Sequence, residues 1–108
     1  MRERRRFRVT GVVQGVGFRP FVHGLARSLE LDGFVLNDGG GVIVEAEGDP
    51  ARLDRFAAAL SQEAPSLAWV ASVETEAVPP LGKTGFAIEA SRSEGGAAAI
   101  PADVATCD

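Results

Sequence analysis

Val13-Gln14-Gly15-Val16-Gly17-Phe18-Arg19-Pro20 is the stretch that decides how this chain folds. Before it, Phe7-Arg8-Val9-Thr10-Gly11-Val12-Val13 alternates as a half-buried strand does, with Phe7, Val9 and Val13 on one face. After it, Phe18, Phe21, Val22, Leu25, Ala26 and Leu29 recur at helical spacing and form one apolar stripe. The octapeptide therefore predicts a tight strand-to-helix turn with two glycines. Proline is favoured just inside a helix start, where its missing N–H has no intrahelical partner anyway. That places Pro20 near the first helical position and Arg19 at the cap. The backbone N–H groups of Gly15, Val16, Gly17, Phe18 and Arg19 then converge beside a guanidinium and the positive end of a helix. Such a loop is an anion site, and phosphate suits it best.

Outward from this turn, the first strand is expected over about Phe7–Gln14 and the helix to about Leu31, with Gly33 supplying a left-handed C-terminal residue. Phe34-Val35-Leu36-Asn37, the turn Asp38-Gly39-Gly40-Gly41 and the alternating Val42–Glu47 read as a β-hairpin. Asp49 and Pro50 open a second helix as N-cap and first-turn proline, Leu53, Phe56, Ala57 and Leu60 form its buried stripe, and Pro65 ends it. Leu67–Val78 is β-prone, and Pro79-Pro80 stops it or confines it to a sheet edge. Phe86–Ala90 is a last short strand. The order β-α-β-β-α-β, with a small extra strand, predicts an α+β ferredoxin-like sandwich. Two helices would lie on one face of an antiparallel sheet of four to five strands. Right-handed crossovers bring Arg19 and Asn37 to the same edge of that sheet.

Length and charge narrow the functional classes. One domain is expected over residues 1–91, with 92–108 as a linker or surface tail rich in glycine and alanine. The formal net charge of −4 argues against a nucleic-acid partner held by bulk electrostatics. The basic start, Arg2, Arg4, Arg5, Arg6 and Arg8, reads as a solvated and partly frayed terminus. No apolar run approaches membrane-spanning length and no signal-peptide core follows the arginines, so no membrane partner is expected. A single cysteine, Cys107, rules out a disulfide framework and makes a reducing cytoplasm the default location.

Among residues with chemistry to offer, Arg19 comes first: beside a ring of amides it can grip a phosphate bidentately and neutralise developing charge. Asn37, a polar amide ending an apolar strand, is second, suited to hold a water or a substrate oxygen. A dinucleotide fingerprint fails because Pro20 stands where a third glycine belongs, and a Walker loop fails for want of a lysine followed by serine or threonine. His23, the only histidine, is expected to be a surface or half-buried residue, since no partner exists for a metal cluster or triad. Glu45 and Glu47 share a strand face and are expected to be solvated. No metal and no cofactor are expected. Two rivals to catalysis remain open: a non-catalytic phosphate-binding or docking module, and an RNA-binding sheet, the latter disfavoured by acidity and scarce aromatics.

Gly11-Val12-Val13-Gln14-Gly15-Val16-Gly17-Phe18-Arg19 resembles the first signature of the acylphosphatase family, and Gly33-Phe34-Val35-Leu36-Asn37 with Gly41-Val42-Ile43-Val44-Glu45 resembles the second. The likeness runs from Phe7 to about Ala90. It implies a metal-free hydrolase of acyl phosphates in which Gly15, Val16, Gly17, Phe18 and Arg19 hold the phosphate and Asn37 orients the attacking water. Gly17 and Pro20 depart from the free-standing members, which place an aromatic and a polar residue there. Gly17-Phe18-Arg19-Pro20-Phe21-Val22 and Asn37-Asp38 resemble instead the N-terminal domain of the carbamoyltransferases that mature [NiFe] hydrogenases. That likeness implies carbamoyl phosphate as substrate, carbamate and phosphate as products, and partners in the remaining domains and in a cysteine-bearing acceptor protein. Ile100–Asp108 resembles the segment leading into a zinc-finger-like region, so the chain reads as a domain from a longer protein. Cys107 alone makes no zinc site.

Overall fold

The structure is a computed structural model that describes residues 2–89. Its elements are β1 (Glu3–Val12), α1 (Phe18–Ser28), β2 (Asp32–Asp38), β3 (Gly41–Gly48), α2 (Pro50–Gln62), β4 (Trp69–Val78) and β5 (Phe86–Ile88). The sheet runs β4-β1-β3-β2-β5. The first four strands in that order pair antiparallel, which is the ferredoxin-like arrangement. β5 adds parallel to β2, so the five-stranded sheet is mixed rather than wholly antiparallel. Its three residues reach that edge by way of 79–85, which leave β4 at the opposite one. Glu89 N–H continues the pairing by donating to Val35 O. The tail, the 92–108 boundary and Cys107 lie outside the described residues.

Strand alternation builds the core. Phe7 and Val9 of β1 stand opposite Val44 and Val42 of β3, and Val35 of β2 stands opposite Val44. All five are buried together with Phe18, Val22 and Ala26 of α1 and Leu53, Phe56 and Leu60 of α2. Phe7 meets Phe56 edge to face, with ring centroids 5.4 Å apart. Burying a phenylalanine of this kind contributes roughly 2–3 kcal/mol, so the helices are held mainly by their stripes. Asp49 caps α2 as expected, its carboxylate accepting from Ala51 N–H at 3.1 Å.

Two ends differ from the sequence expectation. The cap of α1 is Gly17, with φ 81°, so Arg19 is the second helical residue and Pro20 the third. Proline is still harmless there, because N–H groups of the first turn have no intrahelical acceptor. At the other end, the left-handed residue is Glu30 at φ 57°, not Gly33. Leu31 N–H reaches Ala26 O and Glu30 N–H reaches Arg27 O, the pair of bonds that closes a Schellman motif. Gly33 lies inside β2, where an added Cβ would sit 1.9 Å from Glu45 O. A side chain in the left-handed region costs about 1 kcal/mol. Glu30→Gly is therefore expected to stabilise the domain by roughly that amount, less a few tenths for its exposed ion pair with Arg52, read from the urea midpoint.

The basic start is not a frayed terminus. The same alternation that buries Phe7 and Val9 turns Arg4, Arg6 and Arg8 to the helix-free face, with Arg4 and Arg6 opposite Glu47 and Glu45 of β3 and Arg8 opposite Ile43. Arg4 is 4% exposed and donates to Glu45 at 2.8 Å and to Glu47 at 3.1 Å. Arg6 pairs with Glu45, Arg8 with Asp38, and Arg2 with Glu47 and Asp32. Glu45 and Glu47, expected in solvent, are buried. Segment 79–85 crosses this end of the face, with Leu81 and Gly82 N–H donating to Glu47 and Gly85 N–H to Asp32. Arg4, Asp38, Glu45 and Glu47 can be buried because each has an oppositely charged partner on another strand, while Arg2, Arg6 and Arg8 reach in from the exposed side.

Candidate active site

β1 delivers the chain to the end of the sheet where β2 turns into β3, and the loop 13–17 sits there ahead of α1. Gly15 and Gly17 both take positive φ, 73° and 81°, whereas Val16 between them does not. This alternation turns successive N–H groups to one side, as in an anion-binding nest. An added Cβ at either glycine would meet no atom within 4 Å, so neither position is packed against the rest of the described chain. Among the described residues, the N–H groups of Gly15, Val16 and Gly17 donate to no backbone carbonyl. Those of Phe18 and Arg19 belong to the first turn of α1, where no intrahelical acceptor exists. The five amides named from the sequence are thus free donors at the positive end of an eleven-residue helix.

Arg19 is half-buried within that first turn. Among the described residues it pairs with no carboxylate, as is also true of Arg27 and Arg55, whereas Arg2, Arg4, Arg5, Arg6, Arg8 and Arg52 all do. Its guanidinium is available for an anion. Phe18 anchors the turn from below, buried in the core and packed on Phe21 with centroids 5.5 Å apart.

Asn37 stands at the same end of the sheet, opposite Val42 of β3, which itself faces Val9 of β1. Val42 and Val9 are both core residues, so Asn37 belongs to the helix-bearing face, the side from which α1 begins. Its Oδ1 is buried and has no hydrogen-bond partner among the described residues. An orphaned buried acceptor costs about 1–3 kcal/mol, which is the expected signature of a group kept for a ligand or a water.

Gln14 is the residue the sequence reading did not single out. Its Nε2 donates to Gly39 O at 2.6 Å and to Gly41 O at 2.9 Å, tying the loop to the β2–β3 turn. A polar amide between an apolar strand and a glycine loop was the available signal. His23 is half-buried with its ring against Phe86, a packing position, as its isolation in the sequence implied. Among the described residues, no three His, Cys, Asp or Glu side chains gather as a metal site, and no helix is long and apolar enough to cross a membrane. A cleft of about 380 Å³ beside Phe34, Leu81 and Lys83 lies at the opposite end of β2 from Asn37 and is separate from this loop.

Residues 5–88 match the family model for acylphosphatase. The carbamoyltransferase HypF of Rhizobium leguminosarum bv. viciae is 48% identical over 105 residues, which is 97% of this chain and 14% of that protein. An acylphosphatase of Thermotoga petrophila is 42% identical over 78% of this chain and 93% of its own length. Among solved structures, full-length HypF in its phosphate- and nucleotide-bound form superposes with a TM-score of 0.85 at 32% identity, over 89% of this chain and 13% of that one. The chain therefore spans about a seventh of the carbamoyltransferases it matches, and nearly the whole of a free-standing acylphosphatase.

Proposed function

The chain belongs to the acylphosphatase family and is a hydrolase of that type; from that premise we propose that it hydrolyses carbamoyl phosphate within a longer carbamoyltransferase. The observation that carries the reading is one pairing of features. Among the described residues, a loop of free amides and an Arg19 with no carboxylate partner stand at the same end of the sheet as Asn37, whose buried Oδ1 has no hydrogen-bond partner. The amides and Arg19 hold the phosphoryl oxygens and balance the charge that builds on them. Asn37 Oδ1 accepts a hydrogen bond from a water and points its oxygen at phosphorus. As the water oxygen bonds to phosphorus, the bond from phosphorus to the carboxyl oxygen breaks. Carbamate leaves as the anion, and inorganic phosphate carries the water's oxygen and both of its protons, one of which it can release to solvent.

The likeness to HypF over 97% of this chain supports carbamoyl phosphate over other acyl phosphates. In the longer protein the carbamate is adenylated in another domain and its carbamoyl group passes to the cysteine of an acceptor protein, in the cytoplasm, during maturation of [NiFe] hydrogenases. The deciding experiment measures phosphate release by the 108-residue chain from carbamoyl, acetyl and benzoyl phosphate. The expected result is saturable release with the highest kcat/KM for carbamoyl phosphate. Saturable binding of carbamoyl phosphate with no phosphate release would make the domain a binding module instead. Faster turnover of benzoyl phosphate would remove the substrate assignment while leaving the hydrolase.

A further inference from the structure

We propose that Gln14 is a positioning residue, a latch that fixes the distance between the anion loop and Asn37; the inference rests on the hydrolytic reading above. The last β1–β3 pair is Thr10 with Gly41, and the last β1–β4 pair is Val12 with Trp69. Beyond them the chain leaves the ladder, and residues 13–17 carry no strand partner. Among the described residues, both side-chain hydrogen bonds from this loop to the β2–β3 hairpin come from Gln14. They land on Gly39 O and Gly41 O, on either side of Gly40. Gly39 is two residues beyond Asn37 in the chain, and Gly41 closes the hairpin opposite Asp38.

Glutamine is suited to this task by its chemistry. A carboxamide nitrogen has two N–H donors, and two carbonyls receive them. The reversed amide would set its oxygen against both carbonyls, so the orientation follows from the acceptors. Glutamate would repel them, and asparagine is one methylene short. The hairpin does not depend on these bonds, because β2 and β3 already pair from Asp32 to Asp38. What depends on them is where Gly15 begins relative to Asn37. An in-line attack needs the water and the phosphoryl group aligned within fractions of an ångström, and a displacement near 1 Å costs up to about a hundredfold in rate.

Gln14→Met keeps the length and removes both donors, and because Gln14 is exposed the fold is expected to survive. In the 108-residue chain, kcat for carbamoyl phosphate should fall about tenfold or more while inhibition by inorganic phosphate changes little, since the amides and Arg19 stay within one loop. The Asn37 side-chain amide resonances should shift or broaden in Gln14→Met, with and without phosphate. Gln14→Asn, which keeps the donors on a shorter stem, should fall between wild type and Gln14→Met. Unchanged kcat in folded Gln14→Met, or lowered kcat with Asn37 resonances identical to wild type, overturns the latch. A wild-type chain that releases no phosphate overturns the hydrolytic reading instead, and the Asn37 resonances then decide the latch alone.

Discussion

Arg19→Ala is expected to lower kcat/KM for acyl phosphate hydrolysis by about a hundredfold or more and to weaken competition by inorganic phosphate. The magnitude follows from what the side chain does in the proposed site. Removing one preorganised donor from a developing oxyanion typically costs about 3 kcal/mol, and a guanidinium supplies two donors and a full charge. No carboxylate among the described residues shares that charge with Arg19, so the variant leaves no buried counter-ion stranded and the fold should hold. Arg19→Lys restores charge without the planar fork and should recover part of the phosphate affinity but less of the turnover. Asn37→Ala should behave differently: kcat falls while phosphate inhibition is nearly unchanged, because in the proposed mechanism Oδ1 serves the water and not the anion. Equal hydrolysis by wild type and Arg19→Ala would end the mechanism. A loss of phosphate affinity with kcat intact in Asn37→Ala would make Asn37 a phosphate ligand instead.

The parts of this site that could be read in the sequence are those whose physics is local. Gly15-x-Gly17 announces positive φ between an alternating strand and a periodic stripe, and both glycines take it. Asp49-Pro50 states a helix start within two residues, and the cap forms. What was illegible depended on partners distant in the chain. Arg4, Arg6 and Arg8 recur at period two, a strand signal in itself, yet they stand at a terminus and their acids lie far along the sequence. Arg4 meets Glu45 across 41 positions, so a terminal charge run gave no hint of burial. Glu30 takes a left-handed conformation that no residue preference announces, and the nearest glycine drew the expectation to Gly33. Gln14 looked like the end of a strand because its acceptors are two backbone carbonyls, which carry no sequence signature. The orphaned Oδ1 of Asn37 is likewise a property of the folded environment, although the residue itself was found from its place before the glycine turn.

The largest effect on stability is expected from Glu47→Ala, which should destabilise the domain by about 3–5 kcal/mol, the range for removing one partner from a buried ion pair. Glu47 is fully buried, and its two oxygens receive Arg2, Arg4, and the N–H groups of Leu81 and Gly82. Its loss leaves two amides without an acceptor and Arg4 with Glu45 as its remaining partner. Small domains have roughly 5–15 kcal/mol in total, so the urea midpoint should drop by about a fifth or more. Burial alone would push this carboxyl upward. The Leu81 amide, Arg2, the Gly82 amide and Arg4 outweigh it and hold the carboxyl at about 2, below its ordinary 4.5. The sign follows: a carboxyl whose folded value is depressed contributes its full stability above about 4.5 and loses it as pH falls towards 2. Wild-type midpoints should therefore decline through that window, and Glu47→Gln, which cannot titrate, should start lower and decline less. Parallel curves for the two proteins would show that Glu47 is not the titrating group. A Glu47→Ala midpoint within about 0.5 kcal/mol of wild type would place segment 79–85 and the arginines on some other support. Replacing Arg4 with methionine in the Glu47→Leu background separates the two contributions. It removes the charge that has lost one of its two carboxylates, but it leaves Glu45 with Arg6 alone and cannot satisfy Leu81 and Gly82 N–H, so only part of the stability should return.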